Sequence, residues 1–178
     1  LREFAAPILD QIGPIDYCAI QGLVGSMVLP GRRNYIKSSL LDTISDELLD
    51  ILIAYFSKVP SPLTVVGFQQ IGNAPGRVNT DVTAFAHRTA NYELLMLSVW
   101  VDPAEDNDNI GWMRNLADAV TAHTMAGAYV NQMGTTADEG AERVQSAYGS
   151  NYERLVALKN ACDPHNLFRH NQNIKPTV

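Results

Sequence analysis

The sequence predicts an α+β fold, an antiparallel sheet with helices packed mainly on one face. Strand-like and helix-like segments follow one another in the order strand, helix, strand, strand, helix, strand, helix. The composition, with 46% hydrophobic and 18% charged residues, is typical of a globular domain. A chain of 178 residues is long enough to build one substantial core.

The first part of the chain predicts a helix, a strand and a second helix. Residues 1–9 have the pattern of an apolar helix that ends near Gly13 and Pro14. Residues 34–40 alternate in the manner of a half-buried strand. Ser45 can cap the next helix, whose first turn is acidic. The apolar residues of that helix recur at helical spacing and are Leu48, Leu49, Leu52, Ile53 and Phe56.

Two strand-like runs lie in the middle of the chain. Residues 63–71 are rich in Thr, Val and Phe and are bounded by Pro62 and Gly72. Residues 92–101 are a longer apolar run that ends before Asp102 and Pro103. The length and hydrophobicity of this second run predict a well-buried central strand.

The last third predicts a helix, a short strand and a broken helical region. Helical spacing extends over residues 108–123, and residues 125–133 resemble a short strand. Residues 137–161 have a helical pattern that is interrupted at residues 148–150. We expect Asn151 to cap the helix that follows the interruption.

The charge and the rarer residue types exclude several classes of function. The net charge is −6 and Arg32-Arg33 is a small cationic cluster, which argues against nucleic-acid and anionic-membrane partners. No apolar run approaches the ~20 residues of a membrane span. The chain lacks the pattern of a secretory leader and does not begin with Met, so we expect a cytoplasmic fragment. The four histidines lack metal-ligand spacing. Cys18 and Cys162 are expected to be buried free thiols.

The C-terminal segment carries the most specific pattern. It reads Cys162-Asp-Pro-His-Asn-Leu-Phe-Arg-His-Asn-Gln-Asn-Ile-Lys, after an amphipathic helical stretch. This segment closely resembles the C-terminal segment of the berberine-bridge-enzyme-like FAD-linked oxidases, in particular bacterial members. Five further blocks resemble the family in the same order: Gly31-Arg-Arg-Asn-Tyr-Ile-Lys, Pro60-Ser-Pro-Leu, Arg77 to Arg88, Trp100-x-Asp-Pro, and Gly127-Ala-Tyr-Val-Asn.

The resemblance implies a function for the longer protein and a division of this chain into two parts. It implies hydride transfer from a small organic substrate to FAD, with most of the FAD held by an N-terminal domain that this sequence does not contain. Residues 1–135 would form the substrate-binding domain, and residues 136–178 would pack back toward the FAD domain. The free face of the sheet would then form the cleft for substrate and flavin.

Residues 129–132 are the first candidates for chemistry. On the predicted strand, Tyr129 and Asn131 point to one face and Val130 and Gln132 to the other. The resemblance implies that Tyr129 polarises or deprotonates a substrate hydroxyl, that Gln132 orients the substrate, and that Asn131 contacts flavin. Gln132 departs from the aromatic residue or His that is usual in the family, so the substrate class cannot be transferred. The alternative for Tyr129 is a structural tyrosine at the edge of a core.

The amide-rich tail is a second candidate region. Asn171, Gln172 and Asn173 follow the last helix, and amides can both donate to and accept from an isoalloxazine edge. The resemblance implies that they bind the cofactor. The alternative is a frayed terminus, although Phe168 and Ile174 offer apolar anchors on either side.

Four further residues are weaker candidates. Glu93 in the 92–101 strand is either a catalytic base in the cleft or a solvent-facing residue, because a shift of one residue in register reverses its face. His87 is a candidate substrate contact, with a structural role beside Arg88 as the alternative. Tyr35 and Lys37 share a strand face and can line the same cleft or face solvent.

Other functions remain open at this level. A non-enzymatic module that binds a small ligand or dimerises through the open sheet face also fits an α+β domain, and so does a freestanding ferredoxin-like oxygenase. On the flavoenzyme interpretation, we expect the isolated chain to fold, to bind FAD poorly and to self-associate, for instance as a homodimer.

Overall fold

A computed structural model describes residues 10, 12–22, 25, 29–134, 140–170 and 172–178. The chain divides into two compact units, residues 1–31 and residues 32–178. The first unit contains a short helix, α1 (Tyr17–Gly22). The helix expected over residues 1–9 lies outside the described residues. The second unit contains the sheet and the longer helices.

The sheet of the second unit has three strands. They are β1 (Arg33–Leu41), β2 (Val65–Gln70) and β3 (Tyr92–Trp100), in the order β1-β3-β2 with both pairs antiparallel. The apolar run over 92–101 is the central strand, as predicted, since both of its faces are largely buried. The predicted α+β architecture is therefore confirmed.

Two helices cover one face of the sheet. They are α2 (Asp46–Phe56) and α3 (Asp106–Val120), and they share a core with alternate residues of β3, including Leu94 and Met96. The Ser45 side chain accepts the Leu48 N–H at 3.2 Å, so the predicted cap of α2 is confirmed. Because side chains alternate along a strand, Glu93 and Leu95 point to the opposite face.

The predicted strand over 125–133 is absent. Met125 makes a single bridge to Leu40, with Met125 N–H donating to Leu40 C=O at 2.7 Å. The chain then turns through Gly127 at φ +106° and closes a 3₁₀ turn over Val130–Gln132. The positive φ of Gly127 ends the extended conformation. The apolar pattern of residues 125–133 does not indicate this turn.

The broken helical region is confirmed. It consists of α4 (Ala141–Tyr148) and α5 (Tyr152–Cys162), separated by a 3₁₀ turn that begins at Gly149 with φ +52°. Asn151 occupies the predicted N-cap position of α5, but its side chain makes no capping hydrogen bond. Its Nδ2 instead donates to Thr80 C=O at 2.7 Å and to Thr83 C=O at 3.1 Å, and so holds a loop distant in sequence.

The structure also describes the cysteines, the potential metal ligands and the lengths of the helices. Cys18 and Cys162 are free but exposed, so their predicted burial is wrong. Within the described residues, no group of His, Cys, Asp and Glu side chains is arranged to hold a metal ion. None of the described helices is long and apolar enough to cross a bilayer.

The expected division near residue 135 stays a prediction, because residues 135–139 are not described. Residues on its two sides share a small apolar core of Ala128, Met133, Val144 and Ala147.

Candidate functional site

A cavity of about 520 Å³ lies beside the end of β2, and we refer to it as the Tyr129 cavity. Its volume lies within the ~300–1,000 Å³ range of small-molecule sites. It is lined by Gln69, Gln70, Ile71, Pro75, Ala84, Phe85, Tyr129, Val130, Asn131, Ala147 and Tyr148. Two of the predicted site residues, Tyr129 and Asn131, are therefore in the lining. They come together on a 3₁₀ turn rather than on the predicted strand.

The Tyr129 phenol is held in a defined orientation. Asn131 Nδ2 donates to Tyr129 Oη at 3.0 Å, so the phenol proton remains available to a ligand. The Phe85 ring meets the Tyr129 ring edge to face, with centroids 5.8 Å apart and planes at 81°. A hydrogen bond at one end and an aromatic contact along the ring thus position this side chain.

Arg88 holds the loop that carries Phe85. Its guanidinium lies 5.0 Å from the centroid of the Phe85 ring, and its Nε donates to Phe85 C=O at 3.1 Å. Its other nitrogens donate to Pro75 C=O at 3.2 Å and to the Thr83 hydroxyl. Arg88 therefore has a structural role in the loop before the central strand.

His87 does not have the geometry of a substrate contact. Its Nε2 lies 3.0 Å from Ser146 C=O and 3.1 Å from Ala147 C=O, at the C-terminal end of α4, and donates to them. Its ring lies 6.1 Å from the Phe85 ring. The imidazole joins α4 to Phe85 and is absent from the cavity lining that the structure describes, so this geometry does not support the predicted substrate-binding role.

Glu93 is a fully buried carboxyl group. It is 0% exposed and is paired in register with Leu40 of β1 and Gln69 of β2, on the sheet face opposite α2 and α3. The possibility of a solvent-facing Glu93 is therefore excluded. Gln69 connects this residue to the wall of the Tyr129 cavity, because it is both the pairing partner of Glu93 and a lining residue.

Burial affects the pKa of Glu93. Among the described residues, neither carboxyl oxygen has a partner at hydrogen-bonding geometry. Burial raises the pKa of Glu93, and the neighbouring Ser38 hydroxyl offsets only part of this rise. Glu93 is absent from the described lining of the Tyr129 cavity, and its raised pKa is what makes it a candidate acid or base.

Tyr35 and Lys37 lie apart from these residues. On β1 these two side chains point to the face of the sheet that α2 and α3 cover, whereas Ser38 points to the opposite face. Tyr35 packs there against the main core. Arg114 Nε donates to Tyr35 Oη at 3.3 Å, and Lys37 Nζ is 5.6 Å from the Tyr35 ring. The structure thus separates Tyr35 and Lys37 from Glu93, and the expectation that they line the same cleft is not supported.

The remaining candidates lie near the turn that bears Tyr129. Gln132 ends that turn and is absent from the described cavity lining. Gln172 Nε2 donates to Gly134 C=O at 2.8 Å, which ties the tail to the residues after the turn. Asn173 is half-buried, and Asn171 lies outside the described residues. Phe168 is 78% exposed, so it is not the anchor that the sequence suggested.

Among the polar and aromatic lining residues, four were not predicted as site residues: Gln69, Gln70, Phe85 and Tyr148. The consecutive amides at 69–70, at the end of an apolar strand, were a usable signal, because amides are poor strand-end core residues. Nothing local indicated that Tyr148, at the end of α4, would line the same cavity as Tyr129.

Comparisons with known proteins agree with the fold. Residues 128–175 match the family described as berberine and berberine like. A FAD-linked oxidoreductase of Dictyostelium discoideum is 25% identical over 178 residues, covering 99% of this chain and 38% of the relative. The uncharacterised FAD-linked oxidoreductase YgaK of Bacillus subtilis is 33% identical over 147 residues, covering 83% of this chain and 32% of the relative.

A solved structure shows the same fold. Berberine bridge enzyme from Eschscholzia californica superposes with a TM-score of 0.70 at 22% identity, covering 82% of this chain and 33% of that one. The chain thus spans about a third of the length of the relatives that it matches. The resemblance predicted from the sequence is confirmed: residues 128–175 match the berberine and berberine-like family, and the chain as a whole is similar to FAD-linked oxidoreductases.

Proposed function

We propose that this chain provides the substrate cavity of a longer FAD-dependent oxidoreductase, which oxidises an organic alcohol, sugar or natural product. The observation that carries the proposal is the Tyr129 cavity, in which a phenol oriented by Asn131 faces a space of small-molecule size. Part of its lining belongs to the berberine and berberine-like segment. The FAD-linked relatives support the redox class.

In this proposal the chain handles the proton of the substrate. Oxidation of an alcohol to a carbonyl removes a hydride from carbon and a proton from oxygen. Tyr129 takes the hydroxyl proton or donates a hydrogen bond to that oxygen, and the N–H of Asn131 stabilises negative charge on the phenol oxygen. Glu93 is the second candidate acid or base, because burial raises its pKa and so favours its protonated form. Gln132 orients the substrate from the end of the same turn.

FAD, when bound, supplies the acceptor for the hydride. The tail of this chain has a group that fits such a cofactor. Gln172 Oε1 is buried and has no hydrogen-bond partner among the described residues, whereas the Nε2 of the same amide is already bound to Gly134 C=O. An N–H from outside the chain would satisfy it. Asn131, Asn171, Gln172 and Asn173 are the proposed contacts to the cofactor or to the domain that holds it.

The proposal extends to the organisation of the longer protein. Residues 1–135 would be its substrate-binding domain, and residues 136–178 would return toward an N-terminal FAD domain. The isolated chain should then bind FAD poorly, since one wall of the cofactor site would be missing.

The test is the visible absorption spectrum of the longer protein that contains this chain, recorded before and after acid precipitation. Bound flavin in the native protein supports the proposal, and flavin that stays with the precipitate also shows covalent attachment. Absence of flavin in both samples contradicts the proposal and favours a binding or dimerisation module. Bleaching of the flavin band by a substrate under anaerobic conditions then measures the hydride transfer.

A further inference from the structure

A second cavity, of about 290 Å³, lies along the outer edge of β1, and we refer to it as the β1-edge cavity. β1 lies at the edge of the described sheet, and the cavity also borders the end of α3 and part of α4. The described lining shares no residue with that of the Tyr129 cavity, although Ser146 lines one and its neighbour Ala147 lines the other. The two cavities are therefore separate sites that lie close together.

The described lining of the β1-edge cavity carries formal charge. Lys37 of β1 and Arg143 of α4 are cationic, and Asp118 of α3 is anionic. Arg143 Nη2 donates to Ser38 C=O at 3.2 Å, which holds the guanidinium at the edge of the strand. A guanidinium has five N–H groups, so it can hold this carbonyl and also bind a ligand. Two cations against one carboxylate favour an anionic ligand.

A third cation lies close to Lys37. Lys37 Nζ and Arg114 Cζ are 5.6 and 5.7 Å from the centroid of the same Tyr35 ring. The two like charges repel each other, and an anion beside Lys37 offsets this repulsion.

Hydroxyl groups make up much of the remaining lining, and they belong to Ser38, Ser39, Thr121, Thr124 and Ser146. Thr121 Oγ1 donates to Ala117 C=O at 2.9 Å, and Thr124 Oγ1 donates to Thr121 C=O at 3.0 Å. Because these two protons are already used, both hydroxyl oxygens can only accept from a ligand. The Asp118 carboxylate adds a further acceptor. A ligand that uses these acceptors must carry O–H groups of its own.

Ser38 gives independent evidence of an occupant. Its side chain is 2% exposed, and its hydroxyl has no hydrogen-bond partner among the described residues. Buried polar groups normally have such a partner. A polar ligand at the edge of the strand supplies one.

We propose that the β1-edge cavity binds a small phosphorylated polyol. The phosphate lies between Lys37 and Arg143, which come from different elements and can contact different oxygens of a tetrahedral dianion. The hydroxyls of the polyol donate to Thr121, Thr124 and Asp118. The volume lies near the lower end of small-molecule sites, which suits a ligand of a few carbon atoms. This ligand is distinct from the substrate of the Tyr129 cavity, so the proposal goes beyond the proposed function.

The test is a calorimetric titration of this chain at pH 7.5 and constant ionic strength. The probes are sn-glycerol 3-phosphate, n-propyl phosphate and glycerol, and the two phosphates share charge and chain length but differ in hydroxyls. We expect saturable binding of glycerol 3-phosphate, binding of propyl phosphate weaker by about fivefold or more, and no detectable binding of glycerol. Equal binding of the two phosphates, saturable binding of glycerol, or no binding of glycerol 3-phosphate would overturn the proposal.

Two variants assign the binding to this cavity. Lys37→Gln removes a cation from the lining and should weaken binding of glycerol 3-phosphate by about tenfold or more. Lys58→Gln makes the same change at an exposed position just after α2 and should leave binding unchanged. Equal affinity in the two variants would contradict the assignment.

Asp118→Asn tests the proposed acceptor. It removes a carboxylate that repels the phosphate, so propyl phosphate should bind more tightly by about twofold or more. Glycerol 3-phosphate should gain less, because its hydroxyls lose a charged acceptor. The ratio of the two affinities should therefore fall, and an unchanged ratio would overturn the placement of the hydroxyls at Asp118.

A measurement on the unmodified chain makes the test independent of how the variants fold. With ¹⁵N labelling, glycerol 3-phosphate should shift the amide resonances of Ser38, Ser39 and Thr124 and leave that of Lys58 unchanged. Shifts at Gln70 and Phe85 instead would place the ligand in the Tyr129 cavity and overturn the proposal.

The two proposals fail separately. A longer protein that holds flavin, with a chain that does not bind glycerol 3-phosphate, would retain the proposed function and overturn the β1-edge site. A longer protein without flavin, with a chain that binds glycerol 3-phosphate selectively, would overturn the function and retain the site.

Discussion

The imidazole of His87 occupies the position that a side chain on Gly127 would need. A β-carbon on Gly127 would lie 2.2 Å from His87 Cε1, and Gly127 has φ +106°. Gly149, with φ +52°, approaches the same ring, since its β-carbon would lie 3.6 Å from His87 Cε1. The ring therefore lies between two turns whose positive φ values favour glycine. Its Nε2 donates hydrogen bonds to carbonyl groups at the end of α4.

Gly127→Ala should destabilise the protein by about 2 kcal/mol or more, because the new methyl group meets the imidazole and the backbone conformation is unfavourable for alanine. The free energy of unfolding, measured by urea titration, checks this. Gly111→Ala is the matched control, since a β-carbon there meets nothing within 4 Å and lies inside α3. That variant should gain about 0.5–1 kcal/mol. Equal stability of the two variants would contradict the interpretation.

His87→Ala should displace Tyr129, because it removes both the link to α4 and the neighbour of Phe85. His87→Gln keeps an N–H donor at a similar reach and should retain part of the arrangement. The lost hydrogen bonds correspond to about 1 kcal/mol of stability. The ring resonances of Tyr129, observed with ¹³C-labelled tyrosine, report the displacement. Unchanged Tyr129 resonances in His87→Ala would show that His87 only stabilises α4.

Glu93→Gln should make the protein more stable at neutral pH and little different under acidic conditions. Burial raises the pKa of Glu93 in the folded state, so the favourable contribution of the protonated group is complete below the ordinary Glu pKa of about 4.3. It is lost as the pH rises through the folded-state pKa. The glutamine side chain does not ionise, so the difference in urea midpoint between Glu93→Gln and the parent chain should widen as the pH rises from 4 to 8. A difference in urea midpoint that narrows as the pH rises would contradict a carboxylate that burial destabilises.

Asp163 should stabilise the end of α5 with the opposite dependence on pH. Its carboxylate accepts hydrogen bonds from Lys159 Nζ and from the N–H groups of Leu167 at 2.7 Å and Phe168 at 3.1 Å. The hydrogen bond from Lys159 is the main cause that lowers the pKa of Asp163. The stabilisation is present above the ordinary Asp pKa of about 3.9 and is lost as the pH falls through the lowered folded-state pKa.

Hydrogen exchange at residues 167 and 168 measures this effect. Asp163→Ala should accelerate exchange of both amides at pH 7, whereas Asp163→Asn, which keeps one acceptor oxygen, should accelerate it less. Equal protection in the parent chain and in Asp163→Ala would show that the carboxylate does not hold this turn.

Tyr129→Phe in the longer, flavin-containing protein should lower kcat by about 10²- to 10⁴-fold, the usual contribution of a general acid or base. Flavin content should remain unchanged, because the phenol is proposed to act on substrate. Tyr17→Phe, at a tyrosine that is 73% exposed, is the control and should retain activity. Full activity of Tyr129→Phe would remove Tyr129 from the proposed chemistry and leave Glu93 as the main candidate.

Much of the fold followed from the sequence because its causes are local. Ser45 caps α2 through a neighbour three residues away, and the break between α4 and α5 occurs at a glycine with positive φ. The long apolar run at β3 became the central strand, since only a strand buried on both faces has such a composition. The family resemblance was likewise carried by contiguous residues, above all the segment from Cys162 to Ile174.

The tertiary structure decided which candidates meet. Asn151 looked like a cap but binds carbonyl groups about seventy residues earlier, and His87 looked like a substrate contact but binds the end of α4 about sixty residues later. The face of Glu93 depended on register, and the pairing with Leu40 and Gln69 sets it. Sequence periodicity records which residues are apolar within one element, so it predicted α2, α3 and the three strands, whereas contiguous motifs carried the family resemblance. Contacts between residues far apart in the chain arise only when those elements pack, and these contacts placed Phe85, Tyr129 and Tyr148 around one cavity.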